Sequence, residues 1–396
     1  MVQIRNAKEG INHTFWFAYP LSRMLGYWPL NVPSSAFSKV LNSFTIFFSY
    51  LLPLLVLIPG LLYVFLKERN GRKKIKMLMP HINSIAQMTK YTIILRRTKE
   101  LSKLLDEIKK DWSTATQENR RIFSERASIE HKLTMIVAIT IYGGGFLYRA
   151  ILPLSKGRIV LPNNVTIRLL PCPGYFGSLD EQVTPNYEII FTLQILGGFV
   201  THTAVCGIKS ACLMVCMHMC GLLRILTNKL MDLTNDNDER VVQEKIVHIV
   251  EYQTRIKEFL NHVDQFVPYV YLIEIFVGVL ITCILGYCII VEWEDSDAMA
   301  IIAYVALQTT CVFGTFSICY VGQLLVDESE SVRKTCNTLK WYRLPTKKAR
   351  SLILLIIMSN YPIKVTAGRL VDVSLVTFTS IIKSAVGYMN ILQQVT

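Results

Sequence analysis

Apolar positions along the chain come in blocks of membrane-crossing length separated by charged connections. Residues 40–66 form an apolar run long enough to cross a bilayer, which takes about 20 residues, despite Pro53 and Pro59. Further runs occupy 133–154, 187–226, 267–291 and 298–326. A weaker one at 77–95 carries His81, Asn83, Gln87 and Lys90. A segment this polar does not suit lipid on every side, so it is expected to line a cavity. The run 187–226 exceeds what a bilayer needs and is expected to tilt or to project beyond it. A seventh apolar element starts near 351–358, is broken by Pro362 and Ala367-Gly368, and resumes after Ser374. The pattern predicts an all-α polytopic membrane protein with seven spanning helices, the last split in two.

Between the spans, 96–132 is charged, yet Leu101, Leu104, Leu105 and Ile108 keep helical spacing, as does the 227–266 connection. Gly143-Gly144-Gly145 would weaken a helix while letting another backbone or a ligand come close. Residues 155–186 form a long proline-rich loop with a glycosylation sequon at Asn164-Val165-Thr166; Asn12-His13-Thr14 is a second match. In the final segment Thr377, Ser380, Ser384, Gly387, Ile391 and Val395 recur at steps of three or four and share one face. That face is small and polar at its start and apolar at its end. Close helix packing and a water-filled path both fit it.

Composition agrees with the pattern. The 396 residues are 52% hydrophobic and 18% charged, where soluble domains carry about 25% charged residues. The opening MVQIRNAKEG has neither an apolar core nor a cleavage site, which predicts insertion through the first span without a cleaved leader. The net charge of +13 comes with no nucleic-acid motif and reads as topological. With the N-terminus inside, the segments assigned to the cytoplasm hold 27 Lys and Arg against 10 outside, although 67–76 is locally basic. The positive-inside rule therefore expects a cytoplasmic N-terminus, an outer C-terminus and Asn164 on the outer side. Most of the ten cysteines lie within apolar runs, with Cys172 in the long loop, so no disulfide framework is expected. Cys212, Cys216 and Cys220 beside His218 read as a packed helix interface rather than a metal site. No nucleophile or paired-carboxylate constellation indicates an enzyme, and no cofactor is expected.

The tail resembles the C-terminal end of the insect odorant receptor family. The matching positions are Pro362, Thr366-Ala367-Gly368, Ser374, Phe378, Lys383 and Tyr388. Upstream, Tyr320-x-Gly322, Glu328-Ser329 and Trp341-Tyr342-x-Leu344-Pro345 are similar to the family's pattern, with Gln323 where Glu is usual and Asn337 where an aromatic is common. Gly26-Tyr27-Trp28-Pro29 is similar to its N-terminus. The gustatory receptors share the Tyr-to-Gln spacing, here Tyr388 to Gln394. Thr-Ala-Gly and Trp-x-x-Leu-Pro favour the odorant branch. A gustatory-type channel and a metabotropic seven-helix receptor are the alternatives.

The resemblance implies a subunit of a ligand-gated, non-selective cation channel in the plasma membrane of olfactory sensory neurons. Such channels are tetramers formed with a shared co-receptor. The short connection after the fourth span suits a ligand-tuned subunit. On this basis 1–39 is a cytoplasmic N-terminal segment, and 40–216 holds helices one to four with an outer-half pocket. Residues 217–266 begin a cytoplasmic anchor, 267–326 hold helices five and six, 327–368 complete the anchor, and 369–396 line the pore. The implied outer gate falls on Ile391 and Val395 with Gln394 beside them, on the outer side of pore-lining Thr377, Ser380, Ser384 and Gly387. The pocket is implied by region only. Its candidates are His81, Ile85, Tyr142, Gly145, Phe146, Arg149, Phe191, Gln194, Ile195, Tyr304 and Gln308. Arg149 equally suits a side chain reaching for headgroups. Lys383 lies about 12 Å along the axis and roughly 80° around it from Ile391, and is expected to face a neighbouring helix or the cytoplasmic vestibule. The implied ligand is a small volatile.

Overall fold

A computed structural model describes residues 6–29, 35–160, 166–233, 239–294 and 296–339, then 353, 356, 357, 359, 360 and 362–395; side chains are described for these except 239 and 392–395. The sequon at Asn164 and the Trp341–Pro345 motif lie outside these residues, as do the side chains of Gln394 and Val395.

Two short helices, α1 (Ala7–Phe15) and α2 (Ala18–Met24), precede α3 (Ala36–Leu62), which ends in a π-helical turn, Tyr63–Lys67. Ser35 caps α3 by accepting from the Ser38 N–H at 3.1 Å. The long helices are α4 (Gly71–Arg96), α5 (Thr98–Thr114), α6 (Gln117–Phe146), α8 (Asn186–Asp232), α9 (Glu239–Val263), α10 (Val267–Glu294) and α11 (Ala298–Thr338). Helix α6 passes through a π turn into the four-residue α7 (Leu152–Ser155). A hairpin of β1 (Arg158–Val160) and β2 (Thr166–Arg168) follows, and the chain closes with β3 (Thr366–Ala367), β4 (Val371–Asp372) and α12 (Leu375–Val395).

Among the described residues five helices are long and apolar enough to cross a membrane: α3 with its π turn, α6 through Ser155, α8, α10 and α11. Helix α4 (26 residues) reaches crossing length with a more polar composition, and α12 (21 residues) is of crossing length as well. The polar side chains of α4 turn inward: His81, Ser84, Gln87 and Lys90 are all buried. The lipid-facing kind of surface appears on α3 instead, where Phe37, Phe44, Phe47 and Phe65 stand exposed. The charged stretch before the third span forms α5 and then, from Gln117, continues into that span as one helix, α6.

Helix α8 is the centre of the bundle. Between Thr203 and Leu223 every residue is buried, as expected of a helix apolar on all sides. It packs against α2, α3, α4, α6, α9 and α11. At its lower end Cys212, Cys216 and Cys220 sit in the main core with Leu101, Leu104, Leu105, Ile108 and Trp112 of α5. His218 pairs with Asp111, Nε2 to Oδ2 at 2.9 Å, and Asp111 also receives Arg255 of α9. Among the described residues no three metal-type side chains come together.

Three of the tail motifs have a mechanical reading. Thr366-Ala367-Gly368 forms β3 and opens the three-residue turn to β4, with Gly368 and Arg369 both at φ 61°; a positive φ favours glycine. The Gly368 N–H donates to the Pro268 carbonyl at 2.8 Å, which ties the hairpin to the start of α10. A Cβ on Gly322 of α11 would lie 2.1 Å from the Val373 carbonyl oxygen, so the absence of a side chain there lets the strand leading into α12 cross α11. Ser329 accepts from the Ile363 N–H at 2.7 Å, while its neighbour Glu328 binds Arg126 of α6.

Candidate ligand pocket and pore helix

Helices α4, α6, α8, α10 and α11 enclose a cavity of about 110 Å³. Its apolar walls are Met79, Ile141, Val205, Val277, Ile281, Leu285 and Leu307. Its polar groups are Asn83, Gln87, Lys90, Tyr148, Arg149, His202, Lys209, Glu274 and Thr310. A mainly apolar chamber with a few convergent polar groups is the usual form of a small-molecule site. A dry apolar cavity of about 150 Å³ holds benzene, so this space suits a small molecule, of the order of one ring or a short chain in size.

The glycines of α6 and α8 shape the chamber. A Cβ on Gly144 would meet the Ala306 carbonyl oxygen at 3.2 Å, and the Thr310 hydroxyl donates to the Thr140 carbonyl at 2.8 Å, so α6 and α11 lie close. A Cβ on Gly145 would lie 2.5 Å from the His202 ring, and one on Gly198 would lie 2.5 Å from Cδ of Arg149. These two glycines make room for His202 and Arg149 beside the cavity.

The proline-rich loop folds over the same region. Gln194 of α8 clamps it: the Cys172 N–H donates to Oε1 at 3.0 Å, and Nε2 donates to the Cys172 carbonyl at 2.7 Å. The Tyr175 N–H donates to the carbonyl of Pro59 in α3 at 2.9 Å. Cys172, though in a loop, is therefore buried. Replacing Gln194 by Leu is expected to cost about 2 kcal/mol or more, because two buried backbone groups lose their partners. The check is thermal unfolding of the purified protein in detergent; an unchanged midpoint would mean the loop is held elsewhere.

Of the sequence candidates, Gly145 and Arg149 line the cavity. Arg149 is 6% exposed, so it turns into the protein instead of reaching outward. Four others are buried or anchored beside the cavity. Tyr142 shares a hydrogen bond with Thr203 at 3.0 Å, Tyr304 packs behind Tyr148 with ring centroids 5.9 Å apart, and Gln194 holds the loop. His81 is buried against Gly60 of α3, whose added Cβ would lie 2.1 Å from the imidazole. Ile85 and Phe146 point outward and are exposed. Phe191 and Ile195 are half-buried near the start of α8, with Phe191 against the Tyr187 ring at 5.8 Å; Gln308 is half-buried on α11. Helix α10 supplies a wall the sequence reading did not include.

The largest omission is a buried ionic triad. Glu274 of α10 receives Lys90 of α4 on one carboxylate oxygen and Lys209 of α8 on the other, the latter at 2.6 Å. Lys209 and Glu274 each stand alone in an apolar run. The one available signal is that an ionisable side chain within a span marks a functional or paired position.

On α12 the inner side is Ile381 and Ala385, both buried, with Met389 reaching α10, where an added Cβ on Gly286 would lie 2.7 Å from its sulfur. The opposite side is bare. Ser380, Ser384, Gly387 and Ile391 are exposed, with Thr377 half-buried. Lys383 is exposed as well. The polar-to-apolar stripe thus faces away from the rest of the bundle.

Comparison with known proteins agrees with this architecture. The sequence profile of the family described as 7tm Odorant receptor matches residues 70–386. Odorant receptor 10 of Aedes albopictus is 20% identical over 242 residues, and odorant receptor 30a of Drosophila melanogaster 22% over 245. Each alignment covers 60% of this chain and 63% of the relative. The fold is that of the insect olfactory receptor OR5 from Machilis hrabei solved in complex with eugenol, at a TM-score of 0.80 and 14% identity over 98% of this chain and 100% of that one. A second structure of that receptor gives a TM-score of 0.76. With the profile spanning most of its length and the seven-helix fold shared, the chain belongs to the 7tm odorant receptor family.

Proposed function

We propose that this chain is the ligand-tuned subunit of an odorant-gated, non-selective cation channel, assembled as a tetramer with a co-receptor in the plasma membrane of olfactory neurons. The observation that carries the reading is the position of α10. One of its faces, through Glu274, Val277, Ile281 and Leu285, walls the cavity, while Gly286 takes Met389 of α12. Helix α11 makes a second link: Thr315 lines the cavity, and the neighbouring Phe316 ring meets Phe378 of α12 edge-on at 5.6 Å. A ligand that shifts α10 or α11 has a direct mechanical path to α12. OR5 of Machilis hrabei, which shares the fold, was solved with eugenol, which supports a small volatile as the ligand class here.

In this reading the N-terminus is cytoplasmic, and the lower part of α8 with α9 and the end of α11 forms the anchor between subunits. The cavity lies in the outer half of the membrane beneath the 156–185 loop, whose Asn164 would be glycosylated. The bare stripe of α12 lines the pore, with Ile391 and Val395 closing it by dewetting and Gln394 beside them. Ile391→Ser would wet the constriction and is expected to raise ligand-free current several-fold in co-receptor-expressing cells. Lys383→Glu, recorded in the same way, is expected to leave cation permeability ratios unchanged. Silent ligand-free current from Ile391→Ser at normal surface level would remove Ile391 from the gate.

A further inference from the structure

We infer that the cavity takes an anionic ligand, a small carboxylate whose charged end meets Arg149 and the Lys90–Glu274–Lys209 triad and whose apolar body fills the space between α6, α10 and α11. The inference rests on the pocket assignment above and adds the ligand's chemical class.

The charges at the cavity do not balance. Three cations line it, Lys90, Lys209 and Arg149, with one carboxylate, Glu274. Glu274 is divided between the two lysines, one ammonium on each oxygen. That leaves an excess positive charge at the triad itself. Arg149 adds another. It is 6% exposed, and among the described residues its one hydrogen bond is a donation from Nη1 to the Cys172 sulfur at 3.7 Å. A thiol sulfur is a weak acceptor, and a guanidinium has five donors and stays protonated. Among the described residues no carboxylate lies within ion-pair distance of Arg149.

Burying cations without counter-charges is costly. The rest of the lining supplies no counter-charge: Met79, Ile141, Val205, Ile281, Leu285 and Leu307 are apolar, and Asn83, Gln87, Tyr148 and Thr310 offer only neutral dipoles. The geometry also looks arranged for this purpose: Gly198 and Gly314 give up their side chains where Arg149 and Lys209 lie, their added Cβ atoms falling 2.5 Å from Arg149 Cδ and 2.3 Å from Lys209 Nζ. A carboxylate entering the cavity would supply the missing negative charge. It would also accept the paired N–H donors that a guanidinium presents in a fork. At about 110 Å³ the cavity admits such a group on a short chain or a single ring.

The test uses the purified full chain in nanodiscs of zwitterionic lipid, titrated with sodium benzoate and sodium hexanoate. The uncharged counterparts are methyl benzoate, benzyl alcohol and hexanol, and sodium chloride at equal ionic strength is the control. The expected result is a rise in unfolding midpoint with the carboxylates, half-maximal at concentrations about tenfold or more below those of the neutral compounds. Arg149→Gln is expected to raise the half-maximal benzoate concentration about tenfold or more, and Arg149→Lys to raise it less. Glu188→Gln, outside the cavity, serves as a folded comparison. Neutral compounds acting as well as their acids, or chloride reproducing the effect, would overturn the inference. Carboxylate binding without evoked current would uphold it while removing the channel reading. Current evoked by neutral volatiles with no carboxylate binding would do the reverse.

Discussion

Glu274→Gln is expected to remove most of the receptor from the cell surface. In the native protein one carboxylate holds two ammoniums, and the three side chains are 14%, 1% and 8% exposed for Glu274, Lys90 and Lys209. The amide keeps the shape and loses the charge. Two lysines would then face each other across an apolar chamber. Breaking a buried pair by removing one partner costs about 3–5 kcal/mol, a large part of a typical folding margin of about 5–15 kcal/mol. Replacing all three members by apolar residues, as Lys90→Met, Lys209→Met and Glu274→Leu together, is expected to restore surface level, because no charge is then left stranded. Surface biotinylation of the single and triple variants decides the point. Wild-type surface level for Glu274→Gln would show that the lysines do not depend on it.

Gly322→Val is expected to leave the receptor at the surface and abolish most of the evoked current. The nearest atom to an added Cβ is the backbone oxygen of Val373, at 2.1 Å, with its carbonyl carbon at 2.9 Å. A backbone atom cannot rotate away as a side chain can, so the strand must move. That strand is pinned at three other points: the Val373 N–H donates to the Val365 carbonyl at 2.9 Å, the Gly368 N–H to the Pro268 carbonyl at 2.8 Å, and the Ile363 N–H to Ser329 Oγ at 2.7 Å. Overpacking of this kind costs about 1–3 kcal/mol. The displacement falls two residues before α12 begins, so it would shift the helix proposed to line the pore. Gly143→Ala, which adds a Cβ with no atom within 4 Å, is the matched control and is expected to behave as wild type. Evoked current from Gly322→Val equal to that of the control would separate this junction from gating.

Much of the bundle was legible along the chain. Apolar blocks placed α3, α8 and α10 to within about six residues, while α6 begins 16 residues before its block and α11 ends 12 residues after its own. The polarity of α4 correctly signalled a helix turned toward an interior space. The cavity was harder to read because its chemistry is assembled from distant positions. Lys90 and Glu274 are 184 residues apart, and neither spacing nor periodicity links residues on different helices. Arg149 was visible as a charge near a helix end, where reaching for headgroups and facing inward look alike. Its inward course depends on Gly198, a glycine 49 positions further on. The role of Thr-Ala-Gly as a hairpin turn was hidden for a related reason. The break in apolar pattern marked an interruption, while the partner of its N–H, Pro268, lies on another helix. Ile85 and Phe146 show the limit of choosing side chains by region: each lies on a cavity-forming helix and faces outward.

The central claim is that this chain turns ligand binding into ion flow, and whole-cell current tests it most directly. The recording compares cells expressing the chain with and without an odorant co-receptor, across a panel of small volatiles and carboxylic acids, with G-protein signalling blocked. The account predicts a rapid ligand-evoked cation current that needs the co-receptor and survives the block. Current that disappears under the block would contradict it and point to a metabotropic receptor, and the gate at Ile391 and Val395 would fall with it.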